Sequence, residues 1–267
     1  MSLLYGKSAN AMSHETDLAR MGDLTAKLAA TAAERDMAFA LRHEIFCEQA
    51  SARPNKSRRD MDLFDTDCDH LLLFAPGQKI IGTCRLLRQA VAQKSHGFYS
   101  AGEFDLGPMI ALHPEHEFLE IGRTCIRQSH RSSLAASLMW QAIWNYVRLH
   151  KITAMMGCGS LEGPDPAQHE TALGFLATHC LPPLEWTVLG ANGRGIPITP
   201  KQVSPREALR VLPPLLKAYM RIGAWVGPEA VIDADFGTTD VFVTLPISRI
   251  SPRYFGHFGE PDQLLMS

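Results

Sequence analysis

The sequence predicts a mixed α/β fold in which helices pack against a central sheet of mixed strand direction. Two observations lead to this prediction. Between Thr31 and Cys158 the patterns of a helix, a hairpin, a strand, a helix and a strand follow one another, and 46% of the 267 residues are hydrophobic. An integral membrane bundle is excluded, because no run approaches the roughly 20 apolar residues that a spanning helix needs.

The chain is predicted to begin with a flexible segment and a helix. Residues 1–30 are rich in Ser, Thr, Ala and Gly with little periodicity, so we expect them to be flexible. The stretch Thr31–Glu34 has the capping-box pattern and predicts a helix that runs to about Cys47. Residues 51–69 show no apolar periodicity, which predicts a loop.

The predicted sheet and its main helix follow. Residues 70–75 and 79–87 predict a hairpin, because a Pro-Gly-Gln turn separates two apolar runs. Residues 119–126 predict a third strand. The clearest helix is predicted over 134–149, where apolar residues recur on one face. Residues 152–158 predict a short buried strand.

The last third of the chain changes character. A helix is predicted over 169–179, a basic helix over 205–222 with an interruption at its Pro-Pro pair, and one or two strands over 231–254. The predicted segments are a flexible N-terminus, a core, a C-terminal extension packed on the core, and a tail, at residues 1–30, 31–185, 186–258 and 259–267.

Charge and cysteine content restrict the function classes. The 26 Lys and Arg against 28 Asp and Glu give a net charge of -2, which excludes a globally basic nucleic-acid binder. The polar N-terminus lacks the pattern of a secretory signal. The six cysteines form no CxxC pair, so we expect free thiols in a reducing cytoplasm and no metal site.

The junction between the predicted strand 119–126 and the predicted helix 134–149 is the first candidate site. Backbone N–H groups at a helix start favour anions, so a phosphate would lie over Arg131–Leu134. Five basic residues and no acid occur between Arg123 and Lys151. They indicate an anionic partner, unless they form a solvated basic face.

Glu120, Arg123 and Arg85 are the next candidates. An unpaired carboxylate inside an apolar strand is costly, and Gly122 would allow a β-bulge at which Glu120 and Arg123 meet. The pair is then either a base or substrate clamp, or a structural ion pair. Arg85 also lies in an apolar strand and needs a carboxylate partner, with Asp65 and Asp67 as candidates. Asp60–Asp69 does not match a calcium loop, so it is a solvated acidic loop or a holder of a cationic substrate.

Several motifs resemble known families. Arg42-x-x-x-Phe46, the aspartates of residues 62–67, GTCRLL and Glu120-x-x-Arg123 resemble the acyl-homoserine-lactone synthases, which have a GNAT-like fold. Over about residues 35–258, CDHLLLF, GEFDL, EIGRTCI, HRSSLAASLMWQAIWNYV and GCGSLEG more closely resemble the ornithine lipid N-acyltransferases. The block from residue 212 to 241 and the closing RYFGHF resemble the same family. The chain departs from the usual serine and alanine of that family at Thr124 and Gly159.

This resemblance implies a GNAT-like core and one reaction. A 3-hydroxyacyl chain would pass from acyl carrier protein to the α-amine of L-ornithine, which gives lyso-ornithine lipid, the first step of ornithine lipid biosynthesis. The phosphopantetheine thioester is then a co-substrate, and no bound cofactor is expected. Glu120 and Arg123 are the expected catalytic residues, with Glu120 as base and Arg123 or Arg85 holding a carboxylate. The expected donor-binding residues are Ile126, Arg127, His130, Arg131, Ser132, Ser133 and Leu134. The expected acceptor-binding residues are Arg42, Phe46, Asp62, Asp65, Asp67 and Arg85.

Alternatives remain open from the sequence. The acceptor could be another amino acid, or the product an acyl lactone, and Cys158 could form an acyl-enzyme. A non-catalytic, hemolysin-like protein is a further alternative, although neither a secretion signal nor long amphipathic spans are found. The basic, leucine-rich segment 201–221 could contact an anionic membrane surface or pack as a core helix with a solvated side.

Overall fold

A computed structural model describes residues 17–50, 52, 56–251 and 254. Nine strands of these residues form one sheet. They are β1 (Asp17–Met21), β2 (Leu24–Leu28), β3 (Asp69–Ala75), β4 (Lys79–Arg88), β5 (Phe118–Ile126), β6 (Ala154–Glu162), β7 (Ile196–Pro197), β8 (Trp225–Asp233) and β9 (Thr238–Pro246). The spatial order is β1-β2-β3-β4-β5-β6-β9-β8-β7, and only the β5–β6 pair is parallel.

Helices cover both faces of this sheet. They are α1 (Ala32–His43), α2 (Gln89–Ala92), α3 (Gly107–Leu112), α4 (Ser133–Leu149), α5 (Glu170–His179), α6 (Pro205–Val211) and α7 (Pro214–Ile222). Helix α4 packs on β1, β2, β3 and β5, whereas α1 packs on β3 and β4 from the opposite side. We call these sides the α4 face and the α1 face. Because both are covered, β3 and β4 are buried along most of their length.

Most elements predicted from local patterns are confirmed. The capping box is present, since Thr31 Oγ1 accepts a hydrogen bond from Glu34 N and the Glu34 carboxylate accepts one from Thr31 N, both at 3.2 Å. Helix α1 continues from Glu44 to Glu48 as a π-helical turn. The predicted hairpin is β3–β4, and the predicted strand and long helix after it are β5 and α4.

The N-terminal prediction is wrong for residues 17–28, which form the β1–β2 hairpin. Strand β2 hydrogen-bonds to β3, and Ala26 is fully buried beneath α4. Short strands at a sheet edge carry weak periodicity, because their stability comes from backbone pairing with a distant strand. The predicted flexibility of residues 1–16 and the predicted tail 259–267 concern residues outside the described part.

The C-terminal segment completes the sheet. Strand β9 pairs with β6 along its whole length, from Ala154↔Pro246 to Glu162↔Thr238, and β8 pairs with β9. The predicted basic helix is two helices, α6 and α7, interrupted before Pro214 as expected. One sheet therefore spans the predicted core and the predicted extension, and a boundary between them at residue 185 stays a prediction.

A gap opens in the sheet between β5 and β6. The two strands pair only from Phe118↔Ala154 to Glu120↔Met156, after which β5 follows β4 and β6 follows β9. At the start of the gap the Ile121 carbonyl approaches Gly157 so closely that a Cβ there would lie 2.4 Å from its oxygen. Glycine is therefore required at 157, and the gap connects the two faces of the sheet.

Candidate active site

Two cavities meet at this gap. One, of about 240 Å³, is lined mostly by charged and polar side chains, and we call it the charged cavity. The other, of about 580 Å³, lies between α4 and α7 and is mainly apolar, and we call it the apolar cleft. Both are lined by Phe46, Thr124 and Leu215, so a molecule in one can reach a molecule in the other. The predicted site residue Phe46 thus lies at their junction.

Three arginines and three aspartates form an ionic network on the α1 face, namely Arg42, Arg85 and Arg123 with Asp60, Asp62 and Asp65. Arg42 donates two hydrogen bonds to the Asp65 carboxylate, at 2.7 and 3.0 Å, and Arg85 Nη1 donates to Asp62 at 2.7 Å. Burial acts to raise the pKa of Asp65, but the hydrogen bonds and charge of Arg42 and the charge of Arg85 lower it to about 2. The predicted acceptor residues Asp62 and Asp65 are therefore engaged with arginines.

Asp67, the remaining aspartate of the predicted acceptor set, lies outside this network. It follows the turn Leu63–Thr66, and its carboxylate contacts the His96 ring at 2.9 Å. It does not line the charged cavity. The turn directs Asp65 inward and leaves Asp67 near the surface, so of the two partners predicted for Arg85 only Asp65 is found, together with Asp62.

Glu120 lines the charged cavity with its carboxylate held by the backbone. Its two oxygens accept hydrogen bonds from the N–H groups of Tyr99 and Ser100, at 2.8 and 2.7 Å. Each carboxylate oxygen keeps a further lone pair that can accept a proton. These backbone donors replace the ion pair predicted with Arg123.

Arg123 occupies a β-bulge, close to the one predicted at Gly122. Arg123 and Thr124 together face the single residue Cys84 of β4, and Arg123 has a φ of 51°. The bulge places its guanidinium against the Tyr99 ring, 4.6 Å from the centroid, and beside Asp62 at 3.2 Å. Glu120 and Arg123 thus share a cavity without sharing a hydrogen bond, because the bulge turns Arg123 toward the aspartates.

The opposite wall of the cavity carries acids that the sequence analysis did not identify. Asp233 and Asp240 line it, and Glu103 lies behind Cys158, with its Oε2 3.6 Å from the Cys158 Sγ. Burial raises the pKa of Glu103 to about 8, with a further rise from Asp240 and Asp233, and raises that of Asp240 to about 6. Asp240 could have been found from the sequence, because it is an acid inside the apolar run DVFVTL. The same desolvation argument had identified Glu120.

Cys158 is poorly suited to nucleophilic catalysis. Burial, together with the charges of Glu103 and Asp240, raises the pKa of its thiol well above the usual value. The thiol donates to Ser100 Oγ at 3.3 Å. Because the thiolate is the nucleophilic form, a thiol kept neutral by burial and by neighbouring acids favours direct attack of an amine on the thioester over formation of an acyl-enzyme.

The apolar cleft has a polar end at the N-terminus of α4. Ser132 caps the helix by accepting from Ala135 N, and Arg131 Nε donates to the Ile126 carbonyl at 3.0 Å. Of the predicted donor-binding residues, Ile126, Arg131, Ser132 and Ser133 line the cleft. Arg127, His130 and Leu134 do not line it, since Arg127 pairs with Glu44, His130 contacts Ser129 and Leu134 is exposed. Away from α4's N-terminus the cleft adjoins an apolar cavity of about 280 Å³ that shares Trp140, Ile143 and Ala218 with it.

The five basic residues of the 123–151 segment do not form one face. Arg123 belongs to the network and Arg127 pairs with Glu44. Arg148 lies in the last turn of α4 and Lys151 just beyond it, about 25 Å from the first residue of the helix at 1.5 Å per residue. Only Arg131 of the five lies at the mouth of the apolar cleft.

Comparisons with known proteins concern the whole sequence and the fold. Residues 41–141 match the Acetyltransferase (GNAT) domain model. The chain is 41% identical over 268 residues to the L-ornithine N(alpha)-acyltransferase of Rhizobium meliloti (strain 1021), covering 96% of this chain and 90% of that protein. It is 41% identical over 255 residues to the protein of the same name from Brucella abortus (strain 2308), covering 91% of each. Its fold is similar to TofI in a ternary complex with an inhibitor and MTA, with a TM-score of 0.50, 13% identity and coverage of 91% of this chain and 100% of that one. The predicted GNAT-like fold is confirmed.

Proposed function

This chain belongs to the family of L-ornithine N(alpha)-acyltransferases, and we propose that it transfers a 3-hydroxyacyl group from acyl carrier protein to the α-amine of L-ornithine. Its products are then lyso-ornithine lipid and free carrier protein. One observation carries the proposal. An apolar cleft and a charged cavity meet at Thr124, which allows an apolar acyl chain and a charged amino acid to react side by side.

In the charged cavity Glu120 acts as the base. It takes a proton from the α-ammonium, directly or through one water, and the freed lone pair attacks the thioester carbonyl. The carbon–sulfur bond then breaks, and the thiolate leaves with the carrier arm and takes up a proton. Backbone N–H groups of β5 beyond the bulge are free of β6 and stabilise the oxyanion, while Arg85 or Arg123 holds the carboxylate of the acceptor.

In the apolar cleft the phosphopantetheine arm runs along β5. Its phosphate lies near Ser132 and Ser133, where the first N–H groups of α4 favour an anion and Arg131 adds a positive charge. The acyl chain extends between α4 and α7 toward the adjoining apolar cavity. The length of this apolar path, from the cleft into the adjoining cavity, supports a long-chain acyl donor.

Filling the apolar cleft is expected to weaken donor binding. Ala136 lines the cleft and is exposed, so Ala136→Trp adds a ring without disturbing the core. We expect the KM for the acyl carrier protein thioester to rise by about tenfold or more, which corresponds to a loss of about 1.4 kcal/mol in the free energy of donor binding. The KM for ornithine should stay within about twofold. Steady-state kinetics with each substrate varied measures both. Leu149→Trp, exposed at the other end of α4, is the matched control, and equal kinetics for the two variants would place the donor elsewhere.

The proposed reaction is tested with purified protein, 3-hydroxyacyl carrier protein and a panel of ornithine, lysine, glutamine and glycine. Mass spectrometry should find N-acylornithine as the main product. Preferred acylation of glutamine or glycine, or release of an acyl lactone, would contradict ornithine as the acceptor. Absence of any acyl transfer would contradict the enzymatic function itself.

A peripheral membrane contact in the cytoplasm is also proposed. No helix of the described residues is long and apolar enough to cross a bilayer. Helix α6 exposes Leu209 and Val211 beside Arg206 and Arg210, a combination suited to an anionic membrane surface, and all six cysteines are free. Flotation with phosphatidylglycerol vesicles should recover the protein in the lipid fraction, and Leu209→Glu should reduce that recovery at least by half. Wild-type protein left wholly unbound would contradict the contact.

A further inference from the structure

The acids on one wall of the charged cavity have no cationic partner. Asp233 of β8 and Asp240 of β9 line that wall, and Glu103 lies behind it against Cys158, with a carboxylate oxygen within 4.8 Å of one of Asp240. Within the described part of the chain, no lysine or arginine lies within ion-pair distance of any of the three, whereas Asp60, Asp62 and Asp65 are paired with arginines. An unpaired acid group in a buried cavity is costly unless a cation binds there.

Two of these acids, Glu103 and Asp240, are deeply buried, so leaving their charges unpaired costs substantial free energy. Asp240 is 3% exposed and Glu103 8% exposed, and burial together with the neighbouring acids raises the pKa of each, so the protein surroundings disfavour their ionisation. Asp240 is nevertheless firmly oriented, since Thr238 and Ser160 donate hydrogen bonds to its two oxygens at 2.7 and 3.1 Å. Its carboxylate is thus fixed in place, with no cationic side chain of the described residues at ion-pair distance.

The other wall of the same cavity indicates, independently, that the ligand carries a carboxylate. Arg85 is 3% exposed and lines the cavity, and its Nη2 has no hydrogen-bond partner in the described residues. Tyr99 bridges the two walls, with its ring against Arg85 and Arg123 and its hydroxyl 3.4 Å from Asp233. A guanidinium donor without a hydrogen-bond partner on one side and acids without a cationic side chain on the other match a ligand with a carboxylate at one end and a cation at the other.

We propose that Asp240, with Asp233 and Glu103, forms the subsite for the side-chain ammonium of the amino-acid acceptor, and so selects acceptors with a basic side chain. This proposal rests on the proposed function and adds the residues that decide acceptor specificity. A neutral side chain would leave the acids desolvated and unpaired, so the site rejects it by more than the loss of one contact. The side-chain ammonium of the acceptor gives these carboxylates the positive charge that no neighbouring side chain of the described residues provides.

The decisive variant is Asp240→Asn. Both partners of Asp240 are hydroxyl groups, which can accept as well as donate, so asparagine keeps their contacts and removes only the charge. The measurement is kcat/KM for ornithine and for 2-aminopentanoate, the analogue without the side-chain ammonium. We expect the ornithine preference of the wild type to fall by about tenfold or more, mainly through KM, in agreement with the strength of charged hydrogen bonds. Asp105→Asn, in the same loop as Glu103 but exposed, should leave the preference unchanged.

Glu103→Gln is a second variant that tests the same subsite. It should lower the ornithine preference in the same direction, and the melting temperature of both variants should equal or exceed that of the wild type, because each removes a buried acid whose ionisation the surroundings disfavour. An unchanged preference in folded Asp240→Asn and Glu103→Gln would overturn the subsite while leaving ornithine acylation intact. Wild-type protein that acylates 2-aminopentanoate as well as ornithine would also overturn the subsite, whereas wild-type protein that acylates neither acceptor would overturn the proposed function on which the subsite rests.

Discussion

Glu120→Gln is expected to lower turnover by about 10²- to 10⁴-fold, the usual contribution of a general base. The loss should lie in kcat, because glutamine has the shape of glutamate but cannot accept the proton of the α-ammonium. The folded structure should persist at reduced stability. The glutamine NH₂ would face one of the two backbone N–H groups, of Tyr99 or Ser100, and leave it unsatisfied at a cost of about 1–3 kcal/mol.

The measurement pairs steady-state kinetics with circular dichroism and thermal unfolding, so that lost chemistry is separated from lost structure. Glu115→Gln is the matched control, because Glu115 precedes the same strand and its side chain is 60% exposed. Turnover near the wild-type rate in a folded Glu120→Gln protein would show that Glu120 only anchors the 99–100 turn. The base would then have to be sought among the other acids of the charged cavity.

Asp65→Asn is expected to lower the free energy of unfolding by about 3–5 kcal/mol, as found when one partner of a buried ion pair is removed. Asp65 holds Arg42 through two hydrogen bonds and contacts Arg85 at 3.3 Å, and all three side chains are almost fully buried. An asparagine leaves both guanidinium groups without their shared charge. Chemical denaturation at neutral pH measures the loss.

Asp67→Asn, two residues away, is the control for this prediction. Asp67 contacts the half-exposed His96, so its removal should cost about 1 kcal/mol or less. The pH dependence gives a second check. The pKa of Asp65 is about 2 when folded against 3.8 ordinarily, so its contribution is complete above pH 3.8 and is lost as the pH falls toward 2. Equal losses for the two variants would show that the network does not stabilise the fold.

Helices and strands with a strong local pattern were predictable, because the interactions that start and stabilise them join residues of the same segment. The capping box of Thr31 and Glu34 starts α1, and the apolar rows of residues 134–149 form α4. Arguments from desolvation also identified correctly that Arg85 and Glu120 are buried and must have hydrogen-bond or ionic partners. Arg85 is buried with aspartates, and Glu120 is buried with both oxygens hydrogen-bonded.

Predictions that required the partner of a charge were less successful. Glu120 and Arg123 are three residues apart, yet Glu120 bonds the 99–100 turn and Arg123 turns to the aspartates. The cluster of positive charge in 123–151 is dispersed for a similar reason, since a strand, a turn and a helix direct the five side chains to different parts of the surface. The β1–β2 hairpin was missed because it is stabilised by its pairing with β3.

By itself, the sequence determined the fold class, the order of the main elements and the kinds of side chain that had to find partners. Only the tertiary structure decided which acids face the charged cavity. The family resemblance implied Asp62, Asp65 and Asp67 as acceptor-binding residues. In the fold, Asp62 and Asp65 bind the arginines, and Asp233 and Asp240 line the cavity with no arginine or lysine of the described residues at ion-pair distance. The reason is that electrostatic pairing depends on separations of a few ångströms. Those separations are fixed by the gap between β5 and β6 and by the pairing of β6 with β9, which joins segments far apart in the chain.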